Sequence, residues 1–295
     1  MNSEVVSKRE NIITPYWNNE CGRYGTGESY DYFPTYDDEV ETFDSEDGLW
    51  TCTDLDEGIE ILRYNGNEVN IVVPAEIMGK NVISLASTFD GFIALKSVVV
   101  PENVTSIDGA FYGCESLEQV SLPKNIVSLC YAFNCCFTLE HIDLPPALKD
   151  ASWAFEGTRI KNIELPNSIE NISRAFMSCE HLECVHIPAT VIDLTEAFSD
   201  CENLTEVVLE DGITNIGDYA FFNCTSLKEL TIPESVTDFG EKSVGMMEIR
   251  EYVSLDESGY QIKGYQKIPS FIIKGKAGSE AERYAKKHGI DFVKI

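Results

Sequence analysis

Four potential metal ligands fall within eight residues at Cys179-Glu-His181-Leu-Glu-Cys184-Val-His186, and thiolate with imidazole is donor chemistry that suits zinc. Whether they can meet depends on the element that carries them. Val185 and Ile187 alternate with Cys184 and His186, the period of a half-buried strand, so Cys184 and His186 point outward. Cys179 instead belongs to a recurring inward position, and the ligands diverge. Cys184 and His186 share a face with Glu164 and Asp143, which leaves at most a weak surface site, so no metal site and no cofactor is assigned. The acidic run from Asp44 to Gly48 has its glycine misplaced for a calcium-binding EF-hand loop. Asn103, Asn171, Asn203 and Asn223 open Asn-X-Ser/Thr triplets that the repeat itself generates. The chain has no Ser/His/Asp constellation, phosphate-cradling glycine loop or Walker sequence, so no catalytic residue is assigned and the chain reads as a non-enzyme.

The elements that position these residues are written as a repeat. Ala-Phe recurs at Ala110-Phe111, Ala132-Phe133, Ala154-Phe155, Ala175-Phe176, Ala197-Phe198 and Ala220-Phe221, with Thr88-Phe89 and Ser243-Val244 as degenerate copies, and successive Phe positions lie 21 to 23 residues apart. Proline closes an apolar strand in step at Pro101, Pro123, Pro145, Pro166, Pro188 and Pro233, with Glu210 standing in once. Two markers sharing one period specify a solenoid. Within one unit, Val120 and Leu122 face inward while Gln119 and Ser121 face outward; Pro123 ends the strand, and Ile126 and Leu129 turn inward on the return path. A coil this small cannot bury its own apolar edge and is stabilised by stacking on its neighbours. Seven strands about 4.8 Å apart make a sheet roughly 30 Å across.

The strings Asn103-Val-Thr-Ser-Ile-Asp-Gly-Ala-Phe-Tyr-Gly-Cys-Glu-Ser-Leu117 and Gly212-Ile-Thr-Asn-Ile-Gly-Asp-Tyr-Ala-Phe-Phe-Asn-Cys-Thr-Ser-Leu227 resemble the BspA-type, or treponemal, class of leucine-rich repeat. Leu49 to Phe89 is similar to the entry segment of such proteins, and Gly275 to Gly289 to their terminal cap. The resemblance implies an α/β leucine-rich repeat solenoid: a curved parallel β-sheet on the concave face, short helical or irregular return segments, about seven to eight repeats and a C-terminal cap with one short helix. It also implies a surface for protein or host-matrix contact, displayed outside bacterial cells, with no catalytic residues to carry over. The cap reads physically as a helix opened by a capping box of Ser279 and Glu282, with Lys286, Lys287 and His288 in its last turn and Gly289 ending it. The expected organisation is a leader over 1–47, an entry segment over 48–89, repeats over 90–245, and an excursion with the terminal cap over 246–295.

Fifty acidic residues against 22 Lys and Arg give a net charge of −28, a field that repels nucleic acid and anionic membrane and favours cationic partners. Residues 1–60 carry 16 acids and 3 bases, whereas residues 241–295 carry 8 and 10. A monomer is expected, with a head-to-tail contact between the acidic start and the basic end as the alternative. The leader interleaves Tyr16, Trp17, Tyr24, Tyr30, Tyr32, Phe33 and Tyr36 with acids and glycines and reads as a solvated, mobile stretch. No apolar run follows Met1 and no segment is long enough to span a membrane. With Met1 as the natural start the expected compartment is the cytoplasm; for a trimmed chain the resemblance favours the cell surface. Cys114, Cys136, Cys179, Cys201 and Cys224 share the position three residues after Phe and are expected as a buried column of reduced thiols. Any disulfide is expected among Cys21, Cys52, Cys130 and Cys135.

Function then falls to the outward side chains of the sheet. The register gives one column of Ser97, Gln119, His141, Asn162, Cys184, Glu206 and Glu229, and beside it Val99, Ser121, Asp143, Glu164, His186, Val208 and Thr231. From Gln119 and Ser121 to Glu229 and Thr231 these positions are freed from packing and vary between repeats, which suits a composite protein-binding face. The alternatives are an adhesin-like surface for host matrix or glycan and, less favoured, a metal-dependent protein. A second candidate is the excursion from Met246 to Gln266, with Met246, Met247, Tyr252, Tyr260 and Tyr265, which either packs over the last coil or offers adaptable contacts.

Overall fold

The computed structural model describes residues 41–252 and 260–295; the expectations for residues 1–40 of the leader, Cys21 included, lie outside them. The described fold starts inside the span assigned to the leader. Strand β1 (Thr42–Asp44) pairs antiparallel with β2 (Trp50–Leu55), which turns back into β3 (Gly58–Tyr64). Thr42 and Ser45 are buried, so the boundary at residue 47 is corrected to before residue 42. The first rung of the solenoid follows as β4 (Asn70–Val72), and the short β5 (Glu76–Ile77) and β6 (Lys80–Ser84) complete a terminal sheet of order β1-β2-β3-β6-β5.

From there each coil contributes one short parallel rung. These are β7 (Ser97–Val99), β8 (Gln119–Ser121), β9 (Asn162–Glu164), β10 (Cys184–Ile187) and β11 (Glu206–Leu209). The series continues through β13 (Glu229–Thr231), while β12 (Asn215–Ile216) and β14 (Asp238–Phe239) pair with each other on the return side. An antiparallel hairpin of β15 (Met246–Tyr252) and β16 (Tyr260–Lys267) interrupts the period. The solenoid resumes with β17 (Ile272–Gly275), helix α1 (Glu280–His288) and β18 (Asp291–Lys294), with β13, β17 and β18 adjacent and parallel. Counting the coil at His141–Asp143, the turns number about ten, so the face spans roughly 43 Å rather than 30 Å. The additional rungs are β4 at the entry and β17 and β18 in the cap.

The core is a column of identical side chains. Phe89, Phe111, Phe133, Phe155, Phe176, Phe198 and Phe221 are all buried, and consecutive rings stack with centroids 5.3 to 5.7 Å apart and interplanar angles of 1° to 15°. Trp50 and Tyr64 close the column against Phe89. Beside it runs the expected thiol column. Each thiol donates to the carbonyl of the Phe one coil back: Cys114 to Phe89 at 3.1 Å, Cys136 to Phe111 at 3.2 Å, Cys179 to Phe155 at 3.0 Å, Cys201 to Phe176 at 3.1 Å and Cys224 to Phe198 at 3.2 Å. In the Phe155 coil Thr158 fills the position and lies 3.4 Å from Cys179 Sγ. Nine cysteines, Cys52, Cys130 and Cys135 among them, are free thiols, so among the described residues no disulfide forms.

Two backbone corners flank each ring. Residues two before and two after Phe adopt left-handed conformations, as at Tyr131 (φ 56°) and Cys135 (φ 61°), Arg174 (φ 55°) and Ser178 (φ 57°), or Glu196 (φ 52°) and Asp200 (φ 62°). Bulky residues in this region are costly, and they persist because the stacked rings and inter-coil hydrogen bonds fix the path of the chain. In the cap, Gly289 ends α1 with φ 66° as expected. The capping box is half formed. Ser279 is the N-cap without a side-chain cap bond, and the Glu282 carboxylate accepts from the Gly278 N–H at 2.5 Å, one residue before the N-cap. Tyr284 locks the cap to the solenoid by accepting from the Val244 N–H and donating to the Val244 carbonyl, both at 3.1 Å.

Candidate functional site

Strand register places the outward residues in two columns. In the first, Asn70, Ser97 and Gln119 lie side by side, as do Asn162, Cys184 and Glu206, and then Glu229, Ile272 and Asp291. In the second, Val72, Val99 and Ser121 are followed by Glu164, His186 and Val208, and then by Thr231, Lys274 and Val293. Ten of the twelve residues from Gln119 to Thr231 assigned from the sequence lie in these columns, exposed except for the half-buried Cys184. His141 and Asp143 are exposed in a segment that makes no strand ladder.

Contacts along the columns are short side-chain links between coils. Ser97 donates to Asn70 Oδ1 and the Cys184 thiol to Asn162 Oδ1, each at 2.8 Å. His186 Nε2 lies 3.0 Å from Glu210 Oε1, and Lys274 Nζ lies 2.6 Å from Glu229. Glu164, Glu206 and Asp143 make no ion pair among the described residues, which leaves their charge to solvent or a ligand. Partial burial and the carboxylates of Glu206 and Glu183 push the Cys184 thiol above its ordinary value, so no activated nucleophile is present there. The four ligands around His181 stay apart: Cys179 is buried on Phe155 O, Cys184 is held by Asn162 and His186 by Glu210. Among the described residues no group of three or more His, Cys, Asp or Glu is arranged to hold a metal ion, and no helix is long and apolar enough to cross a membrane.

Several contacts and neighbours were not read from the sequence. Glu210 replaces the closing proline, and its carboxylate also accepts from the Ala189 N–H at 2.9 Å. Asn70 and Val72 extend the face by one rung, a position that the run Asn70-Ile-Val-Val-Pro74 could have disclosed by the strand-then-proline signature. On the opposite edge, Tyr131 stacks on Trp153 at 5.4 Å, the Arg174 guanidinium lies 4.6 Å over the Trp153 ring, and Arg174 pairs with Glu196 at 2.6 Å. These residues occupy the left-handed corner two before Phe, so a column at that offset would have revealed them. The base of the excursion packs on the solenoid: Arg250 reaches Asp200 at 3.2 Å, the Glu248 N–H donates to Asn223 at 2.9 Å, and Lys242 sits 5.1 Å from the Tyr219 ring and 4.2 Å from that of Tyr265. Ile249 and Ile262 remain exposed. The side chains of Tyr252 and Tyr260 lie outside the described residues.

The BspA type leucine rich repeat region matches in six copies over residues 85–196 and 151–265. The fold is similar to that of a leucine-rich repeat protein of T. pallidum, at 28% identity and a TM-score of 0.51, covering 64% of this chain and 87% of that one. It is also similar to a leucine-rich repeat protein of Bacteroides ovatus, at 20% identity and a TM-score of 0.56, covering 90% of this chain and 67% of that one. A search of curated proteins gave no match. With the repeat matched over more than half of its length and the stacked Phe and Cys columns in register, the chain belongs to the BspA-type leucine-rich repeat family.

Proposed function

We propose that this protein is a non-enzymatic interaction module that presents the outer, concave face of its sheet to a protein partner of cationic character. The observation that carries this reading is the division of side chains on each rung. Inward positions repeat Phe, Cys and aliphatic residues, whereas outward positions change from coil to coil and hold unpaired carboxylates at Asp143, Glu164 and Glu206. Such a face can recognise an extended partner by summing small contacts over many rungs. The glycan reading is less well supported, because the two columns contain no Tyr, Trp or Phe to stack on a sugar ring. Affinity capture from the source organism and its surroundings, comparing the intact chain with a Glu164→Lys/Glu206→Lys variant, tests the proposal. A protein retained by the first and lost by the second, with melts unchanged, is the expected result; the same set held by both would reject the face.

A further inference from the structure

Inside the sheet each rung has a coil on both sides, although β8, β9, β11 and β13 ladder on one side only; at its two ends one flank has no further coil. Among the described residues β4 pairs only with β7, and β18 only with β17. The polarity of these two edges follows from the bonds that they do make. The Ile295 N–H donates to Gly275 O at 3.0 Å, so alternation along the strand turns the N–H groups of Phe292 and Lys294 away from β17. At the other end the Val73 N–H donates to Val99 O at 3.0 Å, which turns the N–H and C=O groups of Asn70 and Val72 away from β7.

We propose that these two edges pair between copies, β18 of one with β4 of the next, so that the protein associates head to tail. The interior of the solenoid supplies the rule for the junction. Between β13 and β17, Ile272 donates to Lys228 O at 2.9 Å and Ile232 donates to Lys274 O at 2.8 Å, each donor bonding the residue before its register partner. Continued across the ends, Asp291, Phe292 and Val293 stand opposite Asn70, Ile71 and Val72 of the next copy. The outward N–H groups of Phe292 and Lys294 then meet the outward carbonyls of Asn70 and Val72, and the Val72 N–H meets the carbonyl of Phe292. No donor or acceptor falls out of phase.

Side chains and charge agree with that register. Half-buried Phe292 comes over buried Ile71 and continues the core, while Val293, 43% exposed, meets Val72, 73% exposed. Residues 41–60 carry eight Asp and Glu with no Lys or Arg, and residues 274–295 carry six Lys and Arg against three acids. Lys286, Lys287 and Lys294 make no ion pair among the described residues. The contact is heterologous: a copy that has used its β18 edge still offers β4, so association continues beyond the dimer. It needs no other partner and stands or falls independently of the binding face.

The test is sedimentation of the full chain over a concentration series, with Val72→Pro and Lys294→Pro, each of which removes an N–H that points off the edge and leaves the bonds to the neighbouring rung in place. The wild type is expected to gain mass with concentration, and each variant alone to stay monomeric with an unshifted melt. An equimolar mixture of the two should double the mass and go no further, since Val72→Pro retains a working β18 and Lys294→Pro a working β4. If a proline lowers the melt, Lys286→Glu/Lys287→Glu serves in its place and should lose association. A wild type that is monomeric up to its solubility limit, variants that associate as it does, or a mixture that stays monomeric would each overturn the proposal.

Discussion

Replacing Phe176 with Ala tests the packing logic at its centre. The ring is fully buried, with centroids 5.3 Å from Phe155 and 5.5 Å from Phe198. Truncating a buried Phe costs about 3–5 kcal/mol from lost transfer energy and the cavity left behind. Stacked aromatic pairs add about 0.5–1.5 kcal/mol each, which places this site, with two such pairs, at the upper end. A coil is held only by its neighbours, so the damage falls on both interfaces of the Phe176 coil at once. For a chain of this size about 4 kcal/mol corresponds to a fall of roughly 8–16 °C in Tm. Thermal melts followed by circular dichroism provide the assay, with Phe137→Ala as control, because Phe137 is 36% exposed and outside the ring column. A Phe176→Ala melt displaced no further than that of Phe137→Ala would refute the claim that the ring column holds the coils together.

Two further expectations rest on the interior. Burial pushes the Cys179 thiol up to about 12 and raises Cys136 and Cys201 well above the ordinary value, so an alkylating reagent at mildly alkaline pH should modify half-exposed Cys184 and Cys130 in the folded protein and spare the column. Rapid labelling of Cys179 or Cys201 by mass spectrometry would contradict it. Burial also raises the Glu156 carboxyl from 4.5 to about 7, against the lowering effects of its hydrogen bond from Asn134 and of Arg174. Well below pH 4.5 both folded and unfolded states hold the proton. As pH rises toward 7 the unfolded chain releases it while the folded one keeps it, so stability falls and the loss is complete above 7. Glu156→Gln should therefore stabilise the protein by about 1–3 kcal/mol at pH 8 and by nothing at pH 4, and equal urea midpoints for variant and wild type at pH 8 would count against it.

What was legible in the sequence is what packing forces to repeat. Phe at every turn, Cys three residues later and an aliphatic pair on each strand must recur because each coil meets a near-copy of itself, and the register assigned from them holds within the ladders β7–β8 and β9–β11. The ends read less well, since β4 and β18 meet different neighbours and carry no Ala-Phe marker. The outward orientation of the ten residues on strands was legible because alternation is a backbone property. Their contacts were not legible: that His186 meets Glu210 depends on a carboxylate replacing the closing proline, a deviation from the repeat. The half-formed capping box shows the same limit, as Ser279 and Glu282 have the right spacing while the loop geometry delivers the Gly278 N–H to Glu282.

The coils are not equivalent, and three departures coincide. The segment His141–Asp143 forms no ladder with β8 or β9, the ring spacing between Phe133 and Phe155 is the widest of the column at 5.7 Å, and in the Phe155 coil Thr158 replaces the cysteine whose thiol elsewhere bonds the preceding Phe carbonyl. The return side keeps its bridges there, Ser128 to Asp150 and Asp150 to Asn171, and the ring side keeps the bonds from the Phe133 N–H to Ala154 O and from the Cys135 N–H to Glu156 O, so the loss is confined to the sheet side and the thiol link. In a structure whose stability is a sum of neighbour terms, the junction with fewest terms opens first. That junction lies at the middle of the outward face, between the largely neutral rungs of β7 and β8 and the rungs of β9 to β11 that bear Glu164 and Glu206. A partner spanning both halves would bridge this seam, and its binding would then oppose local opening at the same rung.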